Sequence, residues 1–274
     1  MNAVTREDAM SMLNKVPEVT LYFWIIKIMA TTVGETAADF LNFNLHFGLT
    51  NTSLIMSALL AIFLVLQVRA RQYIPGLYWL AVVLISVVGT LITDNLVDNF
   101  GIALETTTIV FSLALLATFA AWYASEKTLS IHTIFTMKRE LFYWAAILFT
   151  FALGTAAGDL AAEGLNLGYF NSTLMFGALI GIVAFAYYGF KANAVLTFWI
   201  AYILTRPFGA SFGDYLSQSV ADGGLGLGTV ITSAIFLSTI AILVIYLTIT
   251  RRDAIDLPSV SSPSPIMASK LMRS

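Results

Sequence analysis

WIIKIMATTVGETAADF, residues 24–40, is apolar enough to cross a bilayer, yet it carries Lys27, Glu35 and Asp39. A soluble helix would need many more polar residues, and a helix surrounded by lipid would exclude all three charges because an unpaired charge in hydrocarbon is costly. The stretch therefore predicts a transmembrane helix with one face turned toward protein or an aqueous cavity.

Three further copies of this pattern follow along the chain. In every copy an aromatic residue precedes a Trp, a Gly lies ten residues after the Trp, and an Asp lies fifteen residues after it. A fixed set of offsets repeated four times indicates an internal repeat. The three series are Trp24, Trp79, Trp144 and Trp199; Gly34, Gly89, Gly154 and Gly209; and Asp39, Asp94, Asp159 and Asp214.

The composition fits a membrane protein, since 58% of the residues are hydrophobic and 11% are charged, against about 25% charged in soluble domains. A bilayer-spanning helix needs about 20 apolar residues. The sequence predicts an all-α membrane protein of eight transmembrane helices, forming four parallel helical hairpins in a pseudo-fourfold or pseudo-twofold arrangement. The predicted spans are 18–40, 52–69, 76–98, 106–124, 141–163, 172–190, 194–217 and 229–249.

These spans divide the chain into three parts. Residues 1–16 are predicted to be a cytoplasmic N-terminal segment, and the Ser- and Pro-rich residues 251–274 a disordered cytoplasmic tail. A single transmembrane domain, 17–250, lies between them. Its predicted repeats are 17–70, 72–125, 137–190 and 192–250.

Basic residues outside the spans predict the topology. They occur before the first span, after the last, and in alternate connecting loops, whereas the other four loops, near 41–51, 99–105, 164–171 and 218–228, have no Lys or Arg. By the positive-inside rule, both termini and the basic loops are cytoplasmic. We expect a protein of the bacterial inner membrane, with the lipid bilayer as its surroundings.

The repeated tryptophan pattern resembles a known family of bacterial multi-pass membrane proteins. Its members have four tandem repeats, each with two transmembrane segments and a characteristic Trp. The resemblance covers roughly residues 17–250. It implies an eight-helix bacterial membrane protein, and it implies no chemistry because the family has no known function.

Acidic residues on the odd-numbered spans are the candidate cation ligands. They recur at four-residue spacing, which keeps them on one helix face, and we expect these faces to meet inside the bundle. Fifteen residues of helix place each repeated Asp about 22 Å from its Trp, toward the extracytoplasmic end. An Asp there can instead be a solvated residue of the interface. The candidate ligands are Glu35, Asp39, Asp94, Asp98, Asp159, Glu163 and Asp214.

Carboxylate oxygens favour Mn, Mg, Ca or Na ions, or protons, and no cofactor is required. Neither histidine lies in a span, so a zinc or copper site of the usual kind is excluded.

Lys27 and Arg206 are the basic residues that remain inside spans, and we interpret them as buried counter-charges. In the repeat frame Arg206 lies one turn from the level of Glu35, which predicts an ion pair if the fourth repeat contacts the first. Lys27 could instead extend its side chain to the cytoplasmic face. The repeated glycines are interpreted as helix-packing positions, and the repeated tryptophans as interface anchors or packing residues.

Together these features favour a small-cation transporter or channel. An intramembrane aspartyl hydrolase, with two aspartates as acid and base, is the alternative from another class. A structural or signalling membrane protein, whose buried charges specify helix packing, is a third. Four related carboxylates suit an ion site better than catalysis, which needs two. The chain has no cysteine, no P-loop and no G-x-S-x-G motif, and no basic aromatic surface for nucleic acid.

Overall fold

The computed structural model describes residues 14–45 and 47–253. Most of the predicted N-terminal segment and tail, residues 1–13 and 254–274, lies outside this part of the chain. The described part contains no strand and has eight long helices. These are α1 Leu21–Asp39, α2 Leu49–Arg69, α3 Pro75–Asp94, α4 Leu104–Glu126, α5 Met137–Asp159, α6 Tyr169–Phe190, α7 Ala194–Ser217 and α8 Thr229–Thr250.

Local sequence signals explain where the inner helices begin. The hydroxyl of Thr20 accepts a hydrogen bond from the backbone N–H of Phe23 and so caps α1, and Thr136 and Asn193 cap α5 and α7 in the same way. Helix α3 instead has Pro75 in its first turn. Proline is tolerated there because the backbone N–H groups of a first turn make no hydrogen bond within the helix. Each inner helix therefore starts at a residue typical of a helix N-terminus.

Seven of the eight helices are long and apolar enough to cross a membrane. The exception in the described part is α1, whose apolar run is broken by Lys27 and Glu35. The outer surfaces of α2, α4, α6 and α8 are rich in exposed apolar side chains, such as Ile62, Leu116 and Ile182. The protein is therefore an all-α membrane protein, as predicted.

The odd-numbered helices form an inner ring. Helix α1 packs against α3, α3 against α5, α5 against α7, and α7 against α1. The even-numbered helices surround this ring, and each packs mainly on the inner helix of the next repeat: α2 on α3, α4 on α5, α6 on α7, and α8 on α1. The two helices of one repeat are thus linked mostly through their neighbours. The arrangement is pseudo-fourfold.

The repeated glycines show why the inner helices approach so closely. A Cβ built at any of the four would lie closer than 3.0 Å to a side-chain atom of the following repeat, so a larger residue would push the helices apart. The partners have one common register, seven residues after the repeated Trp, and the last pair closes the ring. The pairs are Gly34 with Ser86, Gly89 with Phe151, Gly154 with Arg206, and Gly209 with Thr31.

The repeated tryptophans are predicted to be interface anchors or packing residues, and in the structure three of the four are buried. Trp79, Trp144 and Trp199 are 1%, 4% and 3% exposed, and Trp24 is half-buried. Trp199 packs edge-on against Trp122 of α4 and donates its indole N–H to the carbonyl oxygen of Leu129. The ring of outer helices covers these positions, so the indoles fill the protein core where a lone helix would expose them to the interface.

Candidate functional site

An acidic pocket of about 190 Å³ opens where the inner helices end, on the side opposite the basic loops. We call this side of the bundle the acidic end and the other side the basic end. All seven predicted cation ligands line the pocket, so the structure brings them to one place. The full lining is Glu35, Asp39, Asn42, Asp94, Val97, Asp98, Leu104, Asp159, Glu163, Asp214 and Gln218.

The deepest carboxylates form a compact triad of Glu35, Asp159 and Asp214, which we call the carboxylate triad. One oxygen from each lies within 4.8 Å of the other two. Glu35 and Asp214 are 6% and 7% exposed. Two like charges about 4 Å apart repel by about 4 kcal/mol at an effective dielectric of 20. The triad thus favours a positive charge among its oxygens.

Other pocket residues surround this triad. Gln218 donates a hydrogen bond of 3.2 Å to the carboxylate of Asp39, and Tyr169 donates one of 2.9 Å to Glu163. Glu163 and Asp98 are exposed at the mouth. The acidic side chains therefore extend from a buried centre to a wet entrance, which concentrates cations along the route.

A short π-helical segment follows the repeated Asp in three of the repeats: Phe40–Asn44, Asn95–Asn99 and Leu160–Gly164. Asp94 and Asp98, which are four residues apart, both line the pocket, as do Asp159 and Glu163. Single π turns inside helices are frequent at functional sites. The periodicity of the sequence did not predict these segments.

Arg206 lies directly beneath the pocket and is fully buried. Its Nη2 donates to Glu35 Oε2 at 3.0 Å, to Thr155 Oγ1 at 2.6 Å and to Thr90 Oγ1, while Nη1 donates to the carbonyl oxygen of Thr31 at 2.9 Å. The ion pair predicted from the repeat frame is therefore present. One guanidinium from the fourth repeat binds side chains of the other three.

Lys27 lies one layer nearer the basic end and is also fully buried. Its ammonium lies 3.9 Å from the ring centroid of Phe151 and 4.2 Å from that of Tyr202, and it has no hydrogen-bond partner among the described residues. The alternative in which this side chain reaches the cytoplasmic face is wrong, because aromatic side chains fill the path. The faces of these two rings are the contacts that the described structure gives its amino group.

Side chains also close the basic end of the axis. The hydroxyls of Tyr78 and Tyr143 form a hydrogen bond of 2.5 Å, nearer the basic end than Lys27. Below them, Lys15 of the N-terminal segment pairs with buried Glu140 at 2.7 Å and donates to the carbonyl oxygen of Val68 at 2.8 Å. The sequence pattern does not mark Lys15 or Glu140 as site residues, since neither belongs to the repeat. The pocket is thus open at the acidic end and closed toward the basic end.

Comparison with known proteins gives a family and no chemistry. Four tandem matches to the family described as Repeat of Unknown Function (DUF347) cover residues 22–73, 77–128, 142–193 and 197–253. No curated protein and no solved structure matches the chain. The four-repeat architecture predicted from the tryptophan pattern is confirmed. Since the matches span most of the chain, the protein belongs to the DUF347 family.

Proposed function

We propose that the protein is a cation transporter that binds a hard cation at the carboxylate triad and carries it across the bilayer. The single observation that supports this most strongly is the approach of three carboxylate oxygens, from Glu35, Asp159 and Asp214, to within 4.8 Å of one another. Within the described part of the chain, Arg206 is the one basic residue paired with the triad, through Glu35. An added cation or bound protons would remove the remaining repulsion.

The donor set favours particular cations. The described pocket offers carboxylate and amide oxygens, with neither imidazole nor thiolate. Such oxygen sites suit Mn²⁺, Mg²⁺ or Ca²⁺, and also Na⁺ or protons, and they disfavour softer metals. The triad supplies three protein oxygens from three inner helices, and the pocket has room for water to complete the coordination. Closing of the helices around the ion would then couple binding to a change in the bundle.

The conformation supports a carrier more than an open channel. The pocket is accessible from the acidic end, while Arg206 and Lys27 occupy the axis beneath it. The fixed positive charge of Arg206 repels a cation on this path, and the side chain of Lys27 blocks the axis of a static bundle. A carrier avoids this barrier because its helices rearrange during transport. With the basic end in the cytoplasm of the inner membrane, as the positive-inside rule favours, this conformation faces outward.

The test is ion flux into vesicles that contain the purified protein, across a panel of Mn, Mg, Ca, Na, K and proton gradients. Asp159→Asn and Asp214→Asn, alone and combined, should reduce the flux of the transported ion by about tenfold or more, the equivalent of about 1.4 kcal/mol of lost binding. The matched control is Asp222→Asn. Asp222 is exposed in a loop at the acidic end and lies outside the pocket, so its flux should equal that of the wild type.

Flux that is identical in the wild type and in the double Asn variant would remove the triad from transport. If no ion in the panel moves while all variants fold normally, the buried charges have a packing role and the transporter proposal is wrong. Binding can be measured separately. A cation that binds the folded protein at one hundred times its Kd should add about 2.7 kcal/mol of stability to the wild type, and the double variant should lose this gain.

A further inference from the structure

A second cavity of about 460 Å³ lies on the outside of the bundle, at the basic end, between α1, α6 and α7. Apolar side chains form most of its walls, among them Ile28, Ala184 and Ala201. Polar groups gather at one end, where Glu18, Ser130 and His132 line the rim. We call this cavity the lateral groove. Its volume is in the range of about 300–1,000 Å³ typical of small-molecule sites.

We propose that the lateral groove binds one phospholipid with an ammonium headgroup, phosphatidylethanolamine, with an acyl chain along α6 and α7 and the headgroup at Glu18 and His132. This inference does not rest on cation transport, because the groove and the acidic pocket share no residue.

The depth of the groove matches one leaflet. Along α7 its lining extends from Ala194, the first residue of the helix, to Thr205. Eleven residues of helix at 1.5 Å each give about 16 Å, close to half of a hydrocarbon core of about 30 Å. The polar rim therefore lies at headgroup level and the far end near the bilayer midplane. Tyr187 and Tyr188, exposed at the rim, are residue types enriched at this level.

The charges at the rim complement the two charges of the headgroup. Nδ1 of His132 lies 3.6 Å from Oε1 of Glu18, and both side chains remain partly exposed to a ligand. This contact raises the pKa of His132 and lowers the pKa of Glu18, which favours an imidazolium beside a carboxylate. A carboxylate accepts hydrogen bonds from an ammonium group, and an imidazolium donates to a phosphate.

Two other occupants of the lateral groove are alternatives to phosphatidylethanolamine. Residues 254–274 follow Asp253, whose backbone oxygen accepts a hydrogen bond of 2.9 Å from the N–H of Glu18, so this segment starts near the rim. A second copy of the chain could cover the exposed face of α6. The acyl chain of phosphatidylethanolamine fits the apolar walls and its headgroup fits the paired charges, whereas an apolar helix face from a second copy would bring no polar group to the exposed sides of Glu18 and His132.

The experiment is native mass spectrometry of the delipidated full-length protein, to which phosphatidylethanolamine, phosphatidylglycerol and phosphatidylcholine are added at equal concentration. The wild type should retain one phosphatidylethanolamine in preference to the other two lipids. Ala184→Trp should reduce that bound fraction by about tenfold, since an indole in the groove displaces several methylenes of the acyl chain. The matched control is Ala117→Trp, at an exposed position of α4 away from the groove, which should bind as the wild type does.

Glu18→Gln separates the headgroup from the acyl chain. It should abolish the preference for phosphatidylethanolamine over phosphatidylglycerol while one lipid remains bound. If Ala184→Trp does not fold, Ala201→Phe fills the groove from the opposite wall. Equal retention of all three lipids by the wild type, or unchanged binding in the groove-filling variants, would overturn the proposal. A rise in lipid binding after deletion of residues 254–274 would also overturn it, because the tail would then be the occupant. A wild-type dimer that Ala184→Trp dissociates would overturn it too, because a second copy of the chain would then be the occupant.

Discussion

The bond network of Arg206 makes the exchange Arg206→Gln the most informative test of the packing between repeats. The guanidinium is fully buried and bonds to the Glu35 carboxylate, to the hydroxyls of Thr90 and Thr155, and to the carbonyl oxygen of Thr31. Removal of one member of a buried ion pair destabilises a protein by about 3–5 kcal/mol, because the other charge stays buried without compensation. We expect Arg206→Gln to lower the free energy of unfolding by this amount.

The second exchange, Glu35→Gln, should partly rescue the first. Without the Glu35 carboxylate, the carboxylate triad loses one negative charge and the buried uncompensated charge disappears. The double variant should therefore be about 2 kcal/mol more stable than Arg206→Gln alone, and the double-mutant cycle should give a coupling energy of about 2–3 kcal/mol. The measurement is denaturant unfolding of the purified protein in detergent micelles, followed by tryptophan fluorescence.

The control is a second ion pair that water reaches. Arg139 and Glu126 lie 2.8 Å apart at the basic end, with 17% of each side chain exposed. Solvent screens such pairs, so the same cycle on these two residues should give a coupling energy of at most about 1 kcal/mol. If the Arg206 and Glu35 exchanges add within about 0.5 kcal/mol, the two side chains do not interact in the membrane protein and the central network is wrong.

Exchanges at Lys27 and at Gly154 test the layers around Arg206. Lys27→Met should raise the free energy of unfolding by about 1–2 kcal/mol, because the loss of a buried amino group without a hydrogen-bond partner outweighs the loss of its contacts with aromatic rings. Lys27→Ala should be about 2–3 kcal/mol less stable than Lys27→Met because it leaves a cavity. Equal stability of the two variants would contradict this. Gly154→Ala should destabilise the protein, since a Cβ there collides with Arg206. The control Gly181→Ala, with open space around it, should gain up to about 1 kcal/mol of stability from helix propensity. A thermal unfolding midpoint that is unchanged in Gly154→Ala would exclude the tight helix contact.

The repeat frame is the reason that much of the central site could be predicted. Equal offsets from each Trp place Arg206 and Glu35 one helical turn apart in height, and a closed ring of four repeats brings the fourth helix against the first. Together these two facts predict their ion pair before any side chain is placed. The same frame puts the four repeated aspartates at one height, which explains their common pocket.

Other contacts of the central axis involve neighbouring residues that the repeat pattern does not identify. Lys27 looks able to reach the interface when its own helix is considered alone, and only the surrounding Phe151 and Tyr202 show that the path is filled. The pair of Lys15 with Glu140 joins positions 125 residues apart and lies outside the repeat, so nothing in the pattern links them. Tertiary packing decides such contacts, and a single sequence does not report it.

The inner ring is symmetric at its acidic end and asymmetric at its centre, for an electrostatic reason. Four carboxylates at one height can share protons or a cation and still face open water, so the repeated Asp can occur in all four repeats. Four arginines at the height of Arg206 would bring four fixed positive charges together in a dry core, and an arginine cannot lose its proton there.

A single guanidinium, by contrast, has enough donors to bind the other three repeats. The corresponding positions of those repeats are Thr31, Ser86 and Phe151, and all three are uncharged. The bundle therefore needs one repeat to differ from the rest. Moving the arginine by two repeats around the ring, by Arg206→Ser combined with Ser86→Arg, should preserve the fold only if the acid moves by the same two repeats, by Glu35→Thr combined with Thr155→Glu. Fluorescence-detected gel filtration compares this swap with a version that lacks the exchange of the acidic residue. A folded peak for the first and not for the second would show that the ion pair holds the repeats together, whichever helices carry it.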